Sequence, residues 1–169
     1  MPMLVGTVLF AAALFVWWTG SLLPEQVASH FGLSGRADSY MSRTGFIALM
    51  MTLVVVVPGV TWWAQRIAAR RGKANIPNRE IWFSAPHAES TARFLEAHAA
   101  WFTIALVVFM STVHWLAVQA NVAPGSGARL DNAVFLTLLG VFMAFVIGWS
   151  VWPMVRFRKR PNAGDRTHR

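Results

Sequence analysis

The sequence predicts an all-α integral membrane protein, a bundle of four transmembrane helices with a structured loop between the first two. Of its 169 residues, 56% are hydrophobic and only 13% are charged, whereas about a quarter of the residues in a soluble domain are charged. Four apolar runs each reach the roughly 20 helical residues that cross a hydrocarbon core of about 30 Å. The basic residues gather beside alternate ends of these runs, as membrane topology requires.

The first predicted span covers residues 3–23. It has no Lys or Arg n-region, and its three alanines at 11–13 lie in the middle of the apolar run rather than at its end. We therefore interpret the run as a retained helix and not as a cleaved signal peptide. Pro24 ends this helix, because proline cannot continue a helix interior.

The second predicted span covers residues 44–65. Either Ser42 or Thr44 is suited to cap its start, since a side-chain oxygen there can accept a hydrogen bond from a free backbone N–H. Pro58 and Gly59 predict a kink inside the span. A basic connection over residues 66–94 then leads to a third helix.

The third helix is predicted to start near Pro86, on the water side, and to cross the membrane over residues 96–119. A short polar turn precedes the fourth span, residues 132–155. The four spans form one domain over residues 1–155, and a basic tail follows at 156–169.

Positive charge sets the predicted orientation. The connection at 66–94 and the tail carry six Lys or Arg each, whereas loop 22–43 carries two and loop 120–131 carries one. The positive-inside rule therefore places both termini in the cytoplasm and the two weakly charged loops outside. Topology explains the net charge of +8, so we expect no nucleic-acid partner. The absence of Cys excludes disulfides, thiolate metal sites and Cys nucleophiles.

Loop 22–43 is the most polar connection, and one face of the third helix is predicted to lie beside it. His114 is five residues, about 7.5 Å, below Gln119 at the outer end of that helix, within reach of a folded loop. A polar face is expected to point into the bundle, because an ionisable side chain facing lipid is costly. On a helical wheel this face contains Glu96, Thr103, Ser111, His114 and Asn121.

His30, Asp38 and His114 are the candidate ligands of an outward-facing site. Two imidazoles and a carboxylate suit Zn²⁺ or another divalent ion, and the same groups can pass protons. The alternative is structural: His30 and Asp38 fix the loop, and His114 bonds a neighbouring helix. The sequence offers no short-spaced motif such as HExxH to favour the metal.

Two sets of small residues have predicted structural roles. Gly32 and Gly35 should supply a positive φ angle or a close approach in a compact loop. Gly140, Ala144 and Gly148 form a small-xxx-small ladder that lets helices approach closely in lipid. Packing within the chain is the favoured interpretation of the ladder, and a homodimer seam is the alternative.

A recognisable pattern runs through loop 22–43, continues in later segments, and covers residues 4–155. The residues that carry it are Leu23-Pro24, Val27-Ala28, His30-Phe31-Gly32, Gly35, Asp38, Ser42-Arg43, Asn75 to Trp82, Val113 to Leu116, Gln119 and Asn121. They resemble a bacterial membrane domain of unknown function that occurs at the N-terminus of SdpI-type immunity and signalling proteins. Arg43 stands where Lys is usual, and Tyr40 where Trp is common. The resemblance implies a stand-alone four-span member, without the additional spans of the immunity proteins.

We therefore expect a small multi-pass protein of the bacterial cytoplasmic (inner) membrane, with both termini inside and no assigned activity. It should bind a partner protein, peptide, lipid or ion through loop 22–43 beside His114, and the sequence favours a non-enzymatic role with no catalytic residue. One alternative is a metal-dependent membrane enzyme or ion-coupled carrier; another is an accessory subunit or homo-oligomer. The candidate binding residues are Pro24, His30, Gly32, Gly35, Asp38, Ser42, His114 and Asn121.

Overall fold

The computed structural model of the protein describes residues 1–32, 34–123 and 127–159. Within those residues, four helices are long and apolar enough to cross a membrane, which confirms a mostly helical fold with four candidate spans. The tail from residue 160 and the turn at 124–126 lie outside the described residues. The elements in chain order are α1 (Pro2–Ser21), β1 (Gln26–Phe31), β2 (Ala37–Ser42), α2 (Arg43–Arg70), α3 (Arg79–Trp82), α4 (Ala88–Val122) and α5 (Asn132–Arg158).

Helix α2 starts where its capping residue predicts and continues past its proline. Ser42, not Thr44, is the N-cap, and its Oγ accepts a hydrogen bond of 3.2 Å from the Gly45 N–H. Thr52–Val56 forms a π-helical turn just before Pro58. Pro58 lacks an N–H and its ring crowds the preceding turn. The extra residue of a π-turn relieves that conflict, and the turn directly precedes the place where a kink is predicted.

Helices α1, α2 and α4 form the core of the bundle. One buried cluster lies near strands β1 and β2 and contains Leu23, Val27 and Phe46 together with residues of α4. A second cluster fills the middle of the bundle, where Val16 of α1, Val54 of α2 and Val107 of α4 meet.

Helix α5 is attached to this core along one side by stacked rings. Phe142 lies on Phe109 of α4 with ring centroids 4.0 Å apart and an interplanar angle of 5°. Towards the other end, Trp149 lies on His98 at 4.4 Å and 10°. None of the residues in the most apolar stretch of α5 is buried, so most of this helix is left to lipid or to another protein.

Loop 22–43 is a two-stranded antiparallel β-hairpin, which corrects the all-α prediction. Strands β1 and β2 pair from Gln26 with Ser42 to Phe31 with Ala37, with irregular register around His30. Val27 and Ala28 of β1 are buried against the helices, so their backbone groups need partners within the protein.

Candidate binding site on the hairpin

His30 and Asp38 form a close pair across the two strands. The distance from His30 Nδ1 to Asp38 Oδ1 is 2.6 Å, and the two side chains remain 71% and 52% exposed. An ionised carboxylate only accepts hydrogen bonds, so Nδ1 is the donor. The other ring nitrogen, Nε2, is therefore the atom that an incoming ligand can contact.

Two glycines shape the end of the hairpin around this pair. A Cβ atom on Gly32 would lie 3.3 Å from Asp38 Oδ2, so a side chain there would press on the carboxylate. Gly35 has a φ angle of +76°, and a Cβ on it would collide with the backbone carbonyl oxygen of Leu130. Of the two roles considered for these glycines, Gly32 supplies a close approach and Gly35 supplies a positive φ angle.

Asn121 of α4 fixes the base of the hairpin. Its Oδ1 accepts a 2.7 Å hydrogen bond from the Ala28 N–H, and its Nδ2 donates to the Ala28 carbonyl at 3.1 Å. Nδ2 also donates to the Ala117 carbonyl at 2.9 Å. The amide thus pairs with the β1 backbone as another strand would, and it ties the hairpin to the bundle.

His114 lies elsewhere, fully buried between α1, α2 and α4. The Thr19 hydroxyl donates to the Phe15 carbonyl at 2.7 Å. It therefore accepts, also at 2.7 Å, from His114 Nε2. That assigns the proton of the neutral ring to Nε2 and leaves Nδ1 buried without a hydrogen-bond partner in the described chain. The ring stacks on Phe46 and meets Phe15 edge-on.

The structure does not bring the three predicted metal ligands together. His30 and Asp38 are exposed on the hairpin, whereas His114 is enclosed by aromatic side chains and bonded to Thr19. In the described part of the chain, no three His, Asp or Glu side chains are grouped to hold a metal ion. The physical reason is that His114 bonds Thr19 of α1 inside the bundle, whereas His30 and Asp38 pair with each other on the exposed part of the hairpin.

The rest of the polar face of α4 also points into the bundle. Thr103 is buried and donates to the Ala99 carbonyl of its own helix. At the other end, Glu96 pairs with Arg66 and Arg70 of α2. The pairing of Glu96 with Arg70 was not predicted, although a spacing of four residues places Arg66 and Arg70 on one face of α2.

Ser42, Pro24 and Arg43 define the junctions of the hairpin with the helices. Pro24 is exposed three residues after the last residue of α1, and Ser42 caps α2. Arg43 donates through Nη1 to the Leu23 carbonyl at 3.0 Å, and through its backbone N–H to the Glu25 carbonyl at 2.9 Å. Arg43 therefore holds the short connection between α1 and β1.

The small-residue ladder of α5 does not pack within the described chain. A Cβ atom on Gly140 or Gly148 would meet nothing within 4 Å, and Ala144 is exposed. This corrects the favoured interpretation of the ladder as packing within the chain. The rings of α5 take that role, because stacking on α4 turns the small residues away.

The comparisons with known proteins cover one part of the chain. Residues 7–55 match the family model described as Domain of unknown function (DUF1648). The matched segment is less than a third of the chain and runs from α1 through the hairpin to the π-turn of α2. A search of curated proteins and a search of solved structures gave no match. The likeness to a domain of unknown function is thus confirmed for the part of the chain that contains His30 and Asp38, and the relation to SdpI-type immunity proteins stays a prediction.

Proposed function

We propose that this chain is a non-enzymatic, multi-pass protein of the bacterial cytoplasmic membrane that binds a ligand through its hairpin on the outer side, with both termini inside. The observation that carries the proposal is the exposed pair of His30 and Asp38, joined at 2.6 Å. A binding site needs polar groups that are held in place and still accessible. This pair meets both conditions.

The support for the pair comes from both sides of the hairpin. Asn121 holds the β1 backbone from α4, and the chain before α5 holds the hairpin end, with the Leu130 N–H donating to the Gly35 carbonyl at 2.8 Å. A ligand that accepts from or donates to His30 Nε2 therefore meets a preorganised group and loses less free energy to ordering.

An enzyme or carrier has less support. In the described residues His30 is hydrogen-bonded to Asp38, and no Ser or Thr hydroxyl pairs with it as a nucleophile would. The other ionisable groups of the spans are tied into structural contacts, such as Glu96 with its two arginines. The positions of His30 and Asp38 are those of a recognition pair.

The orientation is tested by single-cysteine labelling, because the native chain has no Cys. Ser39→Cys is exposed on the hairpin and Ser90→Cys is exposed near the start of α4. In intact spheroplasts we expect a membrane-impermeant maleimide to label Ser39→Cys. We expect Ser90→Cys to be labelled only after the membrane is permeabilised. The reverse pattern would reject the proposed topology.

The binding role is tested with a photo-crosslinking residue in place of Tyr40, which is 54% exposed on β2. In native membranes we expect a specific adduct, and we expect His30→Gln and Asp38→Asn each to reduce it severalfold without changing the amount of folded protein. The matched control places the same residue at Trp63, which is exposed on α2. If the two variants retain the full adduct, the pair is not a recognition element.

A second candidate role is that of a subunit in a larger membrane complex. The observation that favours it is the open face of α5, where the small-residue ladder meets no other part of the described chain. Oxidative crosslinking of Ala144→Cys in native membranes tests self-association through this face. A covalent dimer that Gly140→Leu prevents would support it, and a monomer at every oxidant concentration would count against it.

A further inference from the structure

Two arginines stand directly opposite each other where the hairpin meets the chain before α5. Arg36 and Arg129 form an isolated antiparallel β-bridge. Its two hydrogen bonds run from the Ala37 N–H to the Ala128 carbonyl, 3.2 Å, and from the Leu130 N–H to the Gly35 carbonyl, 2.8 Å. Bonds in these flanking positions mark a non-hydrogen-bonded pair, the class in which Cα atoms are closest and both side chains share one face.

This pair places two like charges side by side without compensation. Both residues are exposed, and neither has an ion-pair partner among the described residues. Like charges directly opposite each other across two strands are destabilising. An arrangement of this kind gains stability when an anion lies between the two cations.

A cleft beside Arg129, one member of the pair, leaves room for such an anion. Arg129 and Ser34 line a cleft of about 480 Å³ between the hairpin turn and the start of α5. Asp131 also lines it, but its Oδ1 already accepts hydrogen bonds from the Ala133 and Val134 N–H groups at 3.0 and 3.2 Å. Asp131 thus caps α5, and among the described residues it forms no ion pair with either arginine.

The depth of the pair indicates where the anion comes from. Arg129 is three residues before α5 begins, a distance of at most about 11 Å even in a fully extended chain. Trp17 and Trp18 are exposed near the corresponding end of α1, and exposed Trp side chains mark the headgroup level of a membrane. The guanidinium groups therefore lie in or just above the layer of lipid phosphates.

We propose that Arg36 and Arg129 together bind a phosphate group, donated by an anionic lipid headgroup of the outer leaflet or by a free phosphate compound. Guanidinium groups recognise phosphate through paired, charge-assisted hydrogen bonds. Arg36 directly precedes β2 and is two residues before Asp38 in the sequence, so the pair of arginines lies at the same end of the hairpin as His30 and Asp38. The inference rests on the proposed function, because it names the ligand chemistry next to the pair of His30 and Asp38.

The test compares thermal unfolding of the purified chain in a zwitterionic detergent. Sodium phosphate is titrated against sodium chloride at equal ionic strength, and phosphatidylglycerol is titrated against phosphatidylcholine. We expect phosphatidylglycerol or phosphate to raise the melting temperature of the native chain. Arg36→Gln and Arg129→Gln should each raise the half-saturating concentration of the ligand about tenfold. This is the effect of losing one hydrogen bond to a charged group. The matched control is Arg71→Gln, an exposed arginine of the basic connection, which should bind as the native chain does.

A charge reversal separates binding from a purely structural role. Arg129→Glu turns the like-charge pair into an attractive one, so without phosphate at low salt it should melt at or above the native temperature while losing the response to phosphate. A response to phosphatidylglycerol alone assigns the lipid as the source, and a response to both ligands assigns the phosphate group itself. Unchanged responses in both glutamine variants, or a large loss of stability in Arg129→Glu, would overturn the inference.

Failure of the inference and failure of the proposed function can be told apart, because the arginine variants are compared in the titrations and His30→Gln is compared in the crosslinking experiment. If the arginine variants respond normally while His30→Gln loses its crosslinked adduct, the inference fails and the proposed function stands. If the arginine variants lose the phosphate response while His30→Gln retains the full crosslinked adduct, the phosphate site stands. The pair of His30 and Asp38 then has no recognition role.

Discussion

The three-helix core and helix α5 are both apolar, yet they are held in different ways. The core of α1, α2 and α4 closes around buried side chains and the hydrogen bond between His114 and Thr19. Helix α5 has stacked rings along one side and polar contacts at both ends. In lipid, packing and hydrogen bonds drive helix association, because burying apolar surface gains little there. The comparison teaches that α5 is positioned by one line of stacked rings and by polar contacts at its ends, and not by an enclosed core.

The contacts at the ends of α5 come from the two connections of the chain. The hairpin binds the segment before α5 through the Leu130 N–H. At the other end, Asn78 Nδ2 and Trp82 Nε1 both donate to the Phe157 carbonyl, each at 3.0 Å. The last carbonyls of a helix lack partners within it, so these two side chains satisfy a group that the helix itself leaves free.

The largest expected effect comes from breaking the link between core and hairpin. Asn121→Leu keeps the volume of the side chain but leaves the buried N–H and carbonyl of Ala28 without partners. Each unsatisfied buried group costs about 1–3 kcal/mol, so we expect the free energy of unfolding in detergent to fall by about 2 kcal/mol or more. Asn75→Leu, at an exposed position of the basic connection, is the control and should change it little. If Asn121→Leu lowers the free energy of unfolding no more than the control does, the hairpin is stable without Asn121.

The core itself is probed by a smaller change at Thr19. Thr19→Val preserves shape and removes the acceptor of His114 Nε2, whereas Thr19→Ser keeps the hydroxyl. Hydrogen bonds between membrane helices contribute about 0.6 kcal/mol on average and up to about 1.7. We expect Thr19→Val to lower unfolding stability by about 1 kcal/mol and Thr19→Ser to retain most of it. Equal losses in both variants would mean that packing, not the hydrogen bond, matters at this position.

The sequence predicted the spans well because lipid imposes a simple rule on them. An apolar run that crosses the bilayer must be helical, since its backbone groups find no other partners there. The helical wheel of α4 likewise predicted the inward direction of Thr103 and His114. The wheel did not predict that His114 is hydrogen-bonded to Thr19, because that contact depends on how α1 is placed along α4.

The hairpin and the outer face of α5 depend on information that is far apart in the chain. Strand β1, with His and Ser among its six residues, has weak strand propensity, and its pairing is supported by Asn121, 93 residues from Ala28. The spacing of Gly140 and Gly148 indicates a close approach on one face of a helix. Spacing alone cannot tell whether that face meets the same chain or something outside it.

The smallest expected effect belongs to that outer face, and one substitution made at two places measures the difference between α5 and the core. At Gly20 of α1, a Cβ would lie 2.6 Å from Ile47 Cγ1, so Gly20→Ala must displace a packed side chain. At Gly140 a Cβ meets nothing, and alanine favours a helix over glycine by up to about 1 kcal/mol. We therefore expect Gly20→Ala to lower the melting temperature in detergent and Gly140→Ala to leave it unchanged or raise it slightly. If Gly140→Ala destabilises the detergent-purified chain as much as Gly20→Ala does, α5 is packed against a partner that persists in detergent, and the contrast between the two regions disappears.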